Sequence, residues 1–270
     1  MAPHLYYRVV IRSEFAAYSF LQAMSSKRLP LLRTFVHTLV VPRVRYSQYH
    51  FKAVEEDETS QAKFEAEGYY PDGPYASQIV QILRRLNDPT CGQSWQNLLV
   101  HQRLLASVEA TTCQLPPQLT ITGVGEKRWV YFDFSTVRRL RFPDYMTPFS
   151  EAQHMWTRFP SLTHLGMAVY TDPPITRRIV DILLQSPMLE RLAVVILPPP
   201  SATSTAARSM GNAIYRELIE VEDERLVVLE EEISLLKMLR QPDGVPFWRR
   251  VDEVAAHVKE NGKIRPSYLL

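Results

Sequence analysis

Very little in this sequence points to a cofactor, an anchor or a strongly charged partner. Cysteine occurs only twice in 270 residues, at Cys91 and Cys113. Two thiols allow a single bridge. With no Asn-x-Ser/Thr acceptor and no short-spaced Cys/His pairs, they read as buried small hydrophobes in a reducing compartment, cytoplasmic or nuclear. Charge of either sign is not in excess: 31 Lys plus Arg stand against 29 Asp plus Glu, a net of +2. That balance excludes a general nucleic-acid binder and makes any electrostatic preference local. Long apolar runs are absent too. The longest, near "LAVVIL", ends in "PPP" and falls far short of the roughly 20 residues of a membrane-spanning helix. At the start, Arg8 and Arg12 interrupt the apolar stretch, so "LYYRVVI" reads as a buried strand rather than a secretory signal or mitochondrial presequence.

Catalytic motifs are equally scarce. No Gly-x-Ser-x-Gly elbow and no His-Glu-x-x-His pair occurs, and the seven histidines are scattered without ligand spacing. The glycines of "ITGVGEKRWVYF" follow a strand but precede another, whereas a phosphate cradle must open a helix; an ordinary turn is expected there. The acidic run "EVEDERLVVLEEE" lacks the alternation and glycine of a calcium loop and reads as a solvated helix face or turn. The arginine pairs Arg84/Arg85, Arg177/Arg178 and Arg249/Arg250 read as outer helix faces. These readings predict no enzyme, no cofactor and no metal.

What the chain does have is repetition. The phrase apolar-x-x-Leu-x-apolar occurs at Leu162, Leu165, Met167 and again at Leu189, Leu192, Val194. It also fits Val137, Leu140, Phe142; Trp95, Leu98, Val100; and Val36, Leu39, Val41, with partial fits around Leu119 and Leu226. From Leu98 the central leucines fall at 98, 119, 140, 165, 192 and 226, in steps of 21, 21, 25, 27 and 34. Most of these are leucine-rich-repeat lengths. Between phrases lie helical patterns. "DPPITRRIVDILLQSP" carries a candidate N-cap in Asp172, proline just inside, Ile175, Ile179, Ile182 and Leu183 at helical spacing, and Pro187 as a stop. A unit of one strand and one helix cannot bury its apolar face alone, so neighbours must stack.

The expected fold is therefore α/β: one irregular leucine-rich-repeat-like solenoid over residues 1–270, with parallel strands on one face and helices on the other. The step from Leu39 to Leu98 is 59 residues and holds six acids between Glu55 and Glu67, read as an acidic insertion loop over 46–74. A Pro/Ser/Thr loop is expected over 198–206. Phe247, Val251, Val254 and Val258 share one face of a C-terminal helix over 244–261, expected to cap the last repeat.

The phrases "LYYRVVIRSEFAAYSFLQAM", "LRTFVHTLVVP", "FPSLTHLGM", "SPMLERLAVVI", "DERLVVL" and "FWRRVDEV" resemble the leucine-rich-repeat portion of the F-box-like proteins of mushroom-forming fungi. That resemblance implies a protein-interaction role, as a substrate-recognition or decoy relative of F-box ubiquitin-ligase receptors. The F-box itself is absent, so no docking to the ligase adaptor is expected. A remnant gene product without independent activity, a nucleic-acid reader and an unrecognised enzyme are the rival readings.

Period-2 alternation then singles out a candidate site. If the phrase's apolar slots point inward, the residues flanking each central leucine face outward. In the later repeats these include Arg139, Arg141, His164, Arg191 and Arg225. Aligned on stacked strands they would form a concave basic strip suited to an acidic or phosphorylated protein segment.

Overall fold

The computed structural model describes residues 7–11, 13–25, 36–41, 74–87, 95–101, 114–122, 134–143, 155–169, 173–196, 204–230 and 245–261. The acidic insertion up to residue 73, both cysteines, the Gly123–Gly125 turn, and His4, His50 and His154 lie outside them. The chain divides into two compact units, Met1–Cys113 with Glu126–Asp133, and Gln114–Gly125 with Phe134–Leu270.

In the first unit, strands β1 (Arg8–Val10), β2 (Thr38–Val41) and β3 (Asn97–His101) pair in parallel, in sequence order. Val9, Leu39 and Leu98 stand opposite one another. Helices α1 (Glu14–Ser25) and α2 (Pro74–Leu86) pack together. Ser13 caps α1, its hydroxyl accepting the Ala16 amide at 3.1 Å. Near the end of α2, Arg85 donates to the Leu21 carbonyl of α1 at 3.1 Å and to the Ser25 hydroxyl, supplying a cation to the C-terminal turn of its neighbour. Pro74, the last residue of the expected insertion, already belongs to α2.

The second unit holds five parallel strands in sequence order: β4 (Gln118–Thr122), β5 (Arg139–Phe142), β6 (His164–Val169), β7 (Arg191–Ile196) and β8 (Leu226–Glu230). The phrase sets the register. Leu119, Leu140, Leu165, Leu192 and Leu226 align strand to strand. Val137, Phe142, Leu162, Met167, Leu189 and Val194, the phrase's other apolar slots, are buried around them. Leu226 departs from expectation, being only half-buried. It lies on the last described strand, where Val227 and Leu229, on the opposite face, carry the burial instead.

One hydrogen-bond pair recurs at the strand entrances. The carbonyl two residues before each central position accepts the two consecutive amides that lead into the next strand: Tyr7 from His37 and Thr38, and His37 from Gln96 and Asn97 in the first unit. In the second, Pro117 accepts from Arg138 and Arg139, Arg138 from Thr163 and His164, and Thr163 from Glu190 and Arg191. At these five pairings a shared carbonyl fixes the start of the strand against its neighbour, in the register that the phrase sets.

Four described helices belong to the second unit: α3 (Met155–Arg158), α4 (Pro173–Leu184), α5 (Ser204–Ile219) and α6 (Val245–Asn261). The buried stripe of α4 is Thr176, Ile179, Val180, Leu183 and Leu184, while Ile175 is exposed. Thr176, in helical phase with Ile179, Val180 and Leu183, takes the inward slot that the sequence pattern gave to Ile175. α5 begins at Ser204, inside the span expected as a loop, where "STAARS" supplies helix-compatible residues. It packs on α4 and on β7, and Arg177 of α4 donates to the Glu217 carbonyl at 2.9 Å, besides pairing with Asp181.

α6 occupies the expected residues and lies against the last strands, β7 and β8. Phe247, Trp248, Val251 and Ala255 form one cluster with Ala193, Val195, Val227 and Leu229. These strand residues lie on the face that alternation assigns to solvent, opposite Leu192 and Val194. The helix lies on that face of the last strands, so the sheet here is covered on both sides.

Candidate functional site

The strip predicted from the strand phrases is aligned as expected at its entrance. Gln118 stands opposite Arg139, Arg139 opposite His164, and His164 opposite Arg191. The next outward row runs Thr120, Arg141, Gly166, Ala193, Val227. The expectation of one open basic surface does not hold, because α6 lies across its middle.

Arg141 is 7% exposed, and its guanidinium carbon sits 3.8 Å from the centre of the Phe247 ring. A cation over an aromatic face is attracted by the ring quadrupole, so Arg141 helps seat the helix. His164, 8% exposed, meets Trp248 edge-on with ring centres 5.6 Å apart, and its Nδ1 lies 2.8 Å from the Thr163 hydroxyl. Burial first, then the nearby charge of Arg139, holds its pKa below the ordinary imidazole value, so it sits neutral under the tryptophan. Between these two lies Gly166, the outward residue of β6. A Cβ there would fall 2.8 Å from Phe247 Cε1 and 3.4 Å from Trp248. The absent side chain is the seat of the aromatic pair.

Arg225 is the second correction. It lies just before β8, not within it, and its side chain is consumed internally. The guanidinium forks onto Asp223, with Nη2 to Oδ2 at 2.7 Å and Nε to Oδ1 at 2.9 Å. It also donates to the carbonyls of Leu184, Ser186 and Leu189 at 2.6, 2.8 and 3.3 Å, gathering the C-terminal end of α4. Asp223 is correspondingly held below the usual carboxylate range, chiefly by its hydrogen bonds with Arg225. This cluster is structural.

Arg139 and Arg191 keep partial solvent contact, one on each side of His164. Arg191 donates through Nη1 to the Glu190 carbonyl at 2.8 Å. Glu190 and Asp252, both exposed, also act on His164, so the site is cationic at two points rather than uniformly basic.

The earlier outward positions are closed as well. Thr38 and Asn97 are buried and hydrogen-bonded through Asn97 Nδ2 to Thr38 Oγ1 at 3.3 Å, with His37 beside them and stacked on Tyr7. Sequence reasoning missed the cover over the second unit, although its signals were present: Gly166, Ala193 and Val227 are small or apolar at positions read as exposed, and the apolar stripe of α6 needed a surface to bury. Among the described residues no group of acids, cysteines and histidines could hold a metal, and no helix is long and apolar enough to cross a membrane. Compared with known proteins, the chain matches no family model, no curated protein and no solved structure.

Proposed function

We propose that this chain is a non-enzymatic protein-interaction module of the leucine-rich-repeat-like kind, taking an acidic segment of its partner across the entrances of β5, β6 and β7. The observation that supports this is the placement of two half-buried arginines, Arg139 and Arg191, in register on either side of His164. Two strand spacings separate them, about 10 Å, which is close to the reach of three residues of an extended chain. Carboxylates or phosphates so spaced could each take paired hydrogen bonds from one guanidinium.

The test is binding of labelled glutamate-rich and phosphoserine peptides to the recombinant chain, followed by anisotropy across a salt series. Arg139→Glu with Arg191→Glu is expected to weaken capture at least tenfold while leaving the melting temperature nearly unchanged, and wild-type affinity is expected to fall as salt rises. Equal affinity in the double variant would overturn the reading. The likeness of the strand phrases to fungal F-box-like proteins extends the proposal to ligase substrate recognition or a decoy role. A pull-down with the ligase adaptor separates the two, since only a receptor must bind it.

A further inference from the structure

We infer that the partner segment taken by this site is of mixed charge, with a basic residue standing between its two anions, rather than uniformly acidic. The inference rests on the acidic-segment reading and names the class of segment. Its basis is the pair of acids set among the two arginines. Glu190 and Asp252 are exposed, and the charges of both reach the His164 imidazole, as do those of Arg139 and Arg191. Four charges of two signs therefore surround one covered ring. Trp248 meets that ring edge-on, so a segment running from Arg139 to Arg191 passes beside the helix that carries Asp252, one turn on from the tryptophan.

The four charges are not spent on one another. Among the described residues, the side chains of Arg139, Glu190 and Asp252 enter no hydrogen bond or ion pair, and that of Arg191 donates only to the backbone carbonyl of Glu190. Arg191 Nε is buried without an acceptor, and Gln118 Oε1, on the residue opposite Arg139 in the strand register, is buried without a donor. The row thus leaves two demands open: guanidinium hydrogens that an anion would take, and oxygens that an N–H would satisfy. A uniformly acidic segment answers the first and is repelled by Glu190 and Asp252. A segment with an ammonium or guanidinium between its acids answers both, because complementary charges attract where like charges brought together cost free energy. Residues three apart in an extended chain span the two arginines, which leaves two positions between them for the cation.

The experiment measures binding of two labelled peptides to the full chain by anisotropy at low salt. One peptide carries glutamates three residues apart with a lysine between them, and its twin has glutamine in place of the lysine. A site that responded to acidity alone would favour the twin, which carries the larger negative charge. The wild type is expected to bind the lysine peptide about threefold more tightly, the size expected of one solvent-exposed ion pair. Glu190→Gln with Asp252→Asn removes two exposed charges and is expected to erase that preference while the melting temperature stays nearly unchanged. Arg139→Glu with Arg191→Glu is expected to lose both peptides. If the wild type binds the twin as tightly as the lysine peptide, or if the preference survives neutralisation of Glu190 and Asp252, the mixed-charge inference is overturned, and the acidic-segment reading stands as long as both peptides still depend on the arginines. If neither peptide binds the wild type, the acidic-segment reading itself fails and the inference falls with it.

Discussion

The two faces of the five-stranded sheet are built from the same strands, yet they follow different rules. On one face, Leu119, Leu140, Leu165 and Leu192 repeat a single residue type at a single register position, and all four are buried. On the other, the row Thr120, Arg141, Gly166, Ala193, Val227 changes at every strand, from hydroxyl to cation to no side chain to methyl to isopropyl. A repeated residue answers a repeated neighbour, because each unit packs against the next copy of itself. From Arg141 onward the changing row answers one non-repeating object lying across it, α6, which meets Arg141, Gly166, Ala193 and Val227. Uniformity therefore marks the part of the sheet that the repeat stabilises, and variation marks the part fitted to a single helix.

Breaking the uniform face should cost the most. Leu192→Ala removes a fully buried side chain whose neighbours on β6 and β8 are themselves leucines. The expected loss is about 2–5 kcal/mol in chemical denaturation, the usual range for a large-to-small change in a core. A loss below 1 kcal/mol would mean that the leucine row does not carry the stability assigned to it.

A smaller effect is expected at the polar cluster that ties the end of α4 to the turn before β8. Arg225→Ala leaves the carbonyls of Leu184, Ser186 and Leu189 without their donor and Asp223 without its partner. About 1–3 kcal/mol is expected, the cost of stranding partly buried polar groups. Asp223→Asn should reproduce part of the loss. Because the folded-state pKa of Asp223 is lowered, its contribution is present at neutral pH and disappears as pH falls through that lowered value. A purely surface pair would move stability by no more than about 0.5 kcal/mol, which the same melts would reveal.

The uniform face was legible in the sequence because period 2 and repeat length act locally: the phrase alone placed Leu140, Leu165 and Leu192 on adjacent parallel strands. The other face was not legible strand by strand. Arg141 and His164 look like solvent-facing residues until Gly166 is read together with Phe247 and Trp248, some 80 residues later in the chain. Arg225 misled for a related reason. It occupies the phrase position of a strand residue, but Asp223, standing in the slot that an apolar residue fills in the other repeats, draws it into a turn. Helix α6 was found from its own periodicity, but the strand face it covers was not, because amphipathicity states that a face is buried without stating against what.

The smallest expected effect tests the seam between the faces through His164. Its surroundings come from four directions: Arg139 on β5, Glu190 and Arg191 at the entrance of β7, Asp252 on α6, and the Trp248 ring above it. Burial and the two arginines favour the neutral ring, Glu190 and Asp252 favour the charged one, and the net result is a pKa below the ordinary 6.5. The unfolded chain therefore takes up a proton before the folded chain does. Stability from this group is complete above pH about 6.5, declines as pH falls toward the folded-state value, and levels off below it. Denaturation of the wild type and of His164→Gln between pH 8 and pH 5 isolates the effect, since the glutamine variant lacks the titrating ring. The two curves should run parallel at the alkaline end and converge or cross as the wild type loses stability on acidification. Curves that stay parallel throughout would show that the imidazole is not held neutral by the helix above it, and that α6 covers this part of the sheet less closely than its contacts with Gly166 and Arg141 require.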